Sequence, residues 1–294
     1  MFWAGYESAM KSQPISKREF LRLSVAGLAG CAVADAATLL AAETKKIPVG
    51  LQLYSVRNEC AKDLPGTIAA VGKMGYKGVE FAGYYGRDAK ALRQLLDDAG
   101  LKCCGTHIAL DTLLGDNLPR TVEANQTLGN RFLIVPSLPE KRRNSKQAWQ
   151  ETADLFSEVA EKVKPQGMRV GYHNHNVEFK PIDGEVPWDI FFNRAKKDVV
   201  IQFDTGNGYS VGGDPMIYLK KHPGRVASVH VKPVSKAKPN ALLGEDELPW
   251  KEIFNICETT AGVEWYIIEY ESDAYLPLIS VEKTLEAMRR WGKC

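Results

Sequence analysis

The sequence has no Cys-x-x-Cys pair among its six cysteines (Cys31, Cys60, Cys103, Cys104, Cys257 and Cys294), which excludes the usual spacing of a structural zinc site. Cys103 and Cys104 are adjacent and would point to opposite faces of a strand; most of the cysteines read as small core residues. Net charge is also scarce, at +2, so there is no broad basic surface and no nucleic-acid partner is expected. No Gly-rich phosphate loop follows the first strand candidate, which removes support for a doubly wound dinucleotide-binding sheet. No low-complexity linker divides the chain after its N-terminal segment, so a second globular domain is not expected.

The N-terminus has its own pattern. Lys11, Lys17, Arg18 and Arg22 precede an apolar, small-residue run from Leu23 to Ala42. This is the layout of an export signal, assigned to 1–45 and kept out of the fold reading. Ser16-Lys17-Arg18-Glu19-Phe20-Leu21 is similar to a twin-arginine signal, with Lys17 in place of the first arginine. Leu28-Ala29-Gly30-Cys31 is similar to a lipoprotein cleavage box, which would lipidate Cys31 and tether the protein to a membrane; the alternative is plain cleavage near Ala42. Either reading implies an exported protein, periplasmic or lipid-anchored.

From 46 to 294 one pattern repeats: a short β-prone run, then a helical stretch. Strands are expected at 48–56, 78–82, 102–108, 131–136, within 169–179, 198–204, 225–231 and 264–269. Helices are expected at 64–74, 88–99, 117–128, 145–163, 188–195, 215–221, 250–260 and 278–291. Eight such units in about 245 residues match a closed (β/α)8 TIM barrel.

Barrels of this kind carry their chemistry at the C-terminal strand ends. Polar residues at those ends are Glu80, His107, His173, Asp204, His230 and Glu269. Singly, each suits a buried hydrogen-bonded role. Six at one rim are costly unless paired or metal-bound. His173 and His175 lie two apart and would share one face of a strand, with Glu178 just beyond. Mixed nitrogen and oxygen donors of this kind suit one divalent ion of Mn, Co, Zn or Fe rather than calcium. The fifth-strand ligand is left among His173, His175 and Glu178.

Asp204-Thr205-Gly206-Asn207 on the sixth strand, His230-Val231-Lys232 on the seventh and Glu269 on the eighth resemble the xylose-isomerase-like, metal-dependent barrels. Those include sugar isomerases, keto-sugar epimerases, inosose dehydratases and, more distantly, endonuclease IV. The resemblance spans roughly 47–291. It implies a metal held by Asp204, His230, Glu269 and a fifth-strand residue, with His173 in the place of the epimerases' glutamate. It further implies proton abstraction beside a carbonyl by Glu269, Glu178 or His107, with Lys232 steadying an oxyanion or leaving hydroxyl.

The substrate expected is a sugar or keto-sugar, with Gln52, Tyr54, Glu80, Tyr84, His175 and Glu245 shaping its pocket. The net reaction expected is isomerisation or epimerisation. The alternatives are a keto-sugar or keto-glycoside lyase or hydratase on the same site, and a non-catalytic sugar-binding lipoprotein. Members of the family often form homo-oligomers.

Overall fold

The computed structural model describes residues 46–294. The expectations placed on 1–45, the export signal and lipidation of Cys31, lie outside the described residues. Among the described residues no helix is long and apolar enough to cross a membrane.

Eight parallel strands close on themselves in chain order. They are β1 (Val49–Gln52), β2 (Gly78–Phe81), β3 (Lys102–His107), β4 (Phe132–Val135), β5 (Arg169–His173), β6 (Val200–Asp204), β7 (Val226–Val231) and β8 (Trp265–Ile268). The helices outside are α1 (Arg57–Met74), α2 (Ala89–Asp98), α3 (Asn117–Leu128), α4 (Lys146–Val163), α5 (Pro187–Arg194), α6 (Thr205–Tyr209), α7 (Pro215–Lys221), α8 (Trp250–Ile256) and α9 (Pro277–Arg290). The expected (β/α)8 barrel is the fold.

Local chemistry explains the boundaries. Asp88 and Ser145 cap α2 and α4 by accepting from the N–H groups of Ala91 and Ala148. The expected first strand is cut short at Gln52, whose side chain accepts from the Tyr54 N–H and turns Leu53–Val56 into one 3-10 turn. The helix expected from 64 begins earlier, at Arg57, and is broken at Asp63, where φ is −152°. Pro65 disfavours helical geometry in the residues before it, and Asp63 Oδ1 then accepts from the Gly66 N–H. The helix expected to reach 260 stops at Ile256 and widens into a π turn over Cys257–Ala261.

Strand alternation sorts the side chains into an outer and an inner set. Val170, Tyr172, Ile201, Phe203, Val229 and Val231 face outward and are buried under the helices. Phe132, Ile134, Val200 and Ala227 form a separate apolar plug inside the lower barrel, with Trp265 against it. Above the plug the interior turns polar, and that change of layer sets the site.

Candidate active site

Asp204 ends β6, and its register partner on β7 is His230. The sequence turns sharply here. Asp204 Oδ1 accepts from the Asn207 N–H at 2.6 Å and so caps the short helix α6. The other oxygen, Oδ2, is buried and has no hydrogen-bond partner. It lies 3.9 Å from His230 Nδ1, 4.0 Å from His173 Nε2 and 4.0 Å from Lys232 Nζ. One ligand atom from each of His173, Asp204, His230 and Glu269 falls within 4.8 Å of every other. Burial raises the Asp204 pKa to about 7 against the pull of Lys232.

The two histidines are held by their far nitrogens. His173 Nδ1 lies 2.9 Å from Gln202 Oε1, an acceptor, so that nitrogen carries the proton and Nε2 faces the cluster. His230 Nε2 lies 2.7 Å from Glu80 Oε2, and its Nδ1 bonds Glu269. Burial opposes charge on His230, but Glu80 and Glu269 outweigh it and raise its pKa to about 10. Glu80 also lies 3.1 Å from His107 Nε2, and His107 and His230 together overcome burial at Glu80 and hold its carboxyl far below the usual range.

These residues fit a divalent cation. An unpartnered buried carboxylate oxygen, two imidazoles aimed by fixed partners and a second carboxylate are a suitable donor set. A cation among them would replace the proton between His230 and Glu269.

Beneath the cluster a buried amide network sets its geometry. Gln202 Oε1 meets both His173 Nδ1 and His107 Nε2, the latter at 2.6 Å. Gln202 Nε2 donates to Glu80 Oε1 at 2.7 Å and Ser228 Oγ at 3.0 Å. Gln52 Nε2 donates to Glu80 Oε2 at 2.8 Å. Gly105 makes room for this layer, because a Cβ there would stand 2.3 Å from Glu80 Oε1. The sequence reading missed Gln202. Its signal was available: Gln202 lies two residues before Asp204 in an apolar strand, and so on the same inward face.

His173 and Glu269 of the cluster line a cavity of about 1080 Å³ at the C-terminal face of the barrel, while Asp204 and His230 are fully buried behind that lining. Gln52, Tyr54, His107, His173, His175, Lys232 and Glu269 line it, with Glu271 beside them. Lys232 Nζ stands 3.4 Å from Glu269 Oε1 and also pairs with Glu271. His175 is exposed at the rim; burial of its ring lowers its pKa, against Glu269 and assisted by Lys232, so it is neutral at pH 7.

The remaining expected site residues take other places, His107 excepted. Glu178 is buried off the cavity, where Tyr172 and the His175 N–H take its carboxylate; it holds the β5 loop in shape. Glu80 lies under the cluster, fully buried, and belongs to the supporting layer rather than the pocket wall. His107 lines the cavity with both ring nitrogens engaged, Nδ1 by Gln52 at 3.3 Å and Nε2 by Gln202. Tyr84 packs on Phe81 and reaches Asn125, away from the cavity lining. Glu245 is exposed and takes Lys238 and the Leu242 N–H in its own loop.

Comparison with known proteins agrees with this geometry. The family model described as xylose isomerase-like TIM barrel matches residues 68–293. An inosose dehydratase of Serratia proteamaculans (strain 568) is 24% identical over 243 residues, covering 69% of this chain and 80% of the relative. A crystal structure of a sugar phosphate isomerase/epimerase from Parabacteroides distasonis ATCC 8503 superposes with a TM-score of 0.72 at 24% identity, over 83% of this chain and 98% of that one. The probable 3-DHS dehydratase AsbF from Bacillus anthracis superposes with a TM-score of 0.62 at 14% identity, over 83% and 99%. With a closed eight-strand barrel and a family match over most of its described length, the chain belongs to the xylose isomerase-like TIM barrel family.

Proposed function

We propose that the protein is a divalent-metal-dependent enzyme that removes a proton from the carbon beside the carbonyl of a sugar or keto-sugar. One observation carries this reading: four donors converge in the barrel, two of them (His173 and Glu269) on the cavity lining, and the Asp204 carboxylate oxygen among them has no other partner. His173 Nε2, Asp204 Oδ2, His230 Nδ1 and Glu269 would hold the ion. Bound there, a divalent cation supplies Lewis-acid polarisation of a carbonyl and charge stabilisation of the enediolate.

The chain's own groups supply the rest. Glu269, held ionised against burial by Lys232 and His230, takes the proton from the substrate carbon. Lys232 keeps its charge between Asp204, Glu269 and Glu271 and donates a hydrogen bond, or a proton, to a substrate oxygen. His175, neutral and on the cavity lining near Glu269 and Lys232, is a second group able to pass a proton to the substrate. That pair of groups supports isomerisation or epimerisation.

A second reading rests on the imidazole at the fifth strand. His173 is locked by Gln202 and cannot serve as the second carboxylate that the epimerase relatives are expected to use. Glu269 and Lys232 alone suffice for elimination. The C–H electron pair becomes the new C=C bond, the C–O bond beyond it breaks, and Lys232 protonates the departing oxygen. Dehydratases among the similar proteins accord with this.

Metal analysis beside product mass spectrometry tests both. About one equivalent of metal, lost in Asp204→Asn, supports the site. A product of unchanged mass on a keto-sugar panel then selects isomerisation, and loss of water or alcohol selects elimination. No metal after loading, with no turnover, would refute the proposal.

A further inference from the structure

The cavity has two chemically different halves, and they come from different strands. Strands β5 to β8 build the polar half: His173, His175, Lys232, Glu269 and Glu271. The loops after β3 and β4 build the other, mostly apolar half with Ile108, Ala109, Leu110, Pro136, Leu138 and Pro139, interrupted by Asp111 and Ser137. At the mouth stands Tyr54, 43% exposed, with the Arg57 guanidinium 4.5 Å from its ring centroid. The Arg57–Tyr54 stack presents an aromatic ring beside the opening, a surface that sugar faces and aryl groups both pack against.

Size and charge narrow the occupant. Pockets of roughly 300–1000 Å³ hold drug-sized ligands. At about 1080 Å³ this cavity is too large for a lone monosaccharide to exclude water from it. An apolar wall on one side contributes to binding only if an apolar group covers it. Among the described residues lining the cavity, Lys232 is the only lysine or arginine, and Asp204, Glu269 and Glu271 already surround it. Asp111 adds a further carboxylate to the wall. A phosphate dianion would meet more negative charge there than positive.

We infer that the substrate is an unphosphorylated sugar carrying an apolar substituent, with its carbonyl-bearing ring in the polar half and an aryl or alkyl aglycone against the β3 and β4 loops. This inference rests on the proposed sugar chemistry for its polar half only. Under the elimination reading, the substituent's oxygen is the atom that leaves. The C–H pair forms the C=C bond, the C–O bond breaks, and Lys232 supplies the proton that releases a neutral alcohol or phenol.

The test pairs binding with turnover, so that the two ideas fail separately. Binding of unreactive phenyl glucoside, methyl glucoside and glucose phosphate is measured by calorimetry on the full-length metal-loaded protein. Turnover is measured on a keto-glucose, its phenyl glycoside and its phosphate monoester. Phenyl glucoside is expected to bind about tenfold or more tighter than methyl glucoside, and glucose phosphate no tighter than methyl glucoside. Ala109→Asp, which places a carboxylate on the exposed apolar wall, should reduce the phenyl preference at least about tenfold while the melting temperature is retained. Tyr54→Ala should reduce it as well.

If that binding order holds but no keto-sugar turns over, the substituent pocket stands and the sugar-enzyme reading falls. If the phosphate ester is bound or turned over best, or phenyl and methyl glucosides bind alike, the inference is overturned while the enzyme reading survives. Loss of the preference in Ala109→Asp with retained folding supports the wall; an unchanged preference counts against it.

Discussion

Asp204 Oδ2 lies 3.9 Å from His230 Nδ1 and accepts no hydrogen bond, although Oδ1 of the same carboxylate caps α6. One residue thus fixes the turn out of β6 with one oxygen and offers the other to the buried donor cluster. A buried, unpartnered carboxylate oxygen costs stability unless a cation satisfies it.

Asp204→Asn keeps the side chain's shape and the capping oxygen but withdraws the charge. Bound metal should fall from about one equivalent to near none, with kcat/KM down by about a thousandfold. For the unmodified protein, metal at about a hundred times its Kd should add about 2.7 kcal/mol of stability, and the variant should gain almost nothing. Elemental analysis and paired denaturant melts decide it. Equal metal content in the two proteins would contradict the assigned donor set.

Gln202→Leu should act on the site from below. It removes the acceptor for His173 Nδ1 and His107 Nε2 and the donor to Glu80 and Ser228. Leaving those buried groups unpaired should cost about 3 kcal/mol. Metal affinity should fall about 10–100-fold, because the His173 ring loses its fixed tautomer. Urea unfolding of the metal-free protein and a metal titration separate the two effects; unchanged affinity would show that the amide is structural alone.

The metal-free protein should lose stability as the pH rises. The folded pKa of His230 is about 10 against an ordinary 6.5, because Glu80 and Glu269 outweigh burial. Its contribution is therefore complete below pH 6.5 and disappears as the pH climbs toward 10. Asp204, raised by burial from 3.8 to about 7, runs the same way over its lower window. Glu80, held low by His107 and His230 despite burial, contributes above pH 4.5 and loses that contribution only in acid. Urea midpoints for apo protein should fall between pH 6.5 and 10, and Glu80→Gln should flatten the fall. A midpoint constant across that range would disprove the buried ion-pair arrangement.

Lys232→Met should separate binding from chemistry. Its ammonium faces Glu269 and Glu271 at the cavity edge and is not a metal donor. Metal content should stay near one equivalent while kcat drops about a hundredfold and KM changes little. A rise in KM alone would reassign Lys232 to substrate binding.

Much of the architecture was legible in the chain before any coordinates. Short apolar runs alternating with helical spacing gave eight units, and each of the eight strands appears within or close to its expected range. Asn117–Leu128 and Pro215–Lys221 match to the residue, since a glycine or proline marks an end of each. Boundaries drifted where a side chain competed with the backbone, as Gln52 does at the end of β1 and Asp63 within α1. The family motifs on β6, β7 and β8 were legible too, because each holds an ionisable residue where an apolar strand ends.

Period-2 alternation determined which of those residues share the inward face, and it needed no coordinates. Only the closed barrel decided which inward residues meet. Register placed Glu80 under the cluster instead of in the pocket, and it joined Gln202 to histidines 95 and 29 positions away. Tertiary packing also turned Glu178 toward Tyr172 and left Glu245 within its own loop. Sequence spacing carries information about neighbours along one strand. Which carboxylate finds a proton, a cation or a tyrosine is set by distances across the barrel, and those follow from closure of all eight strands.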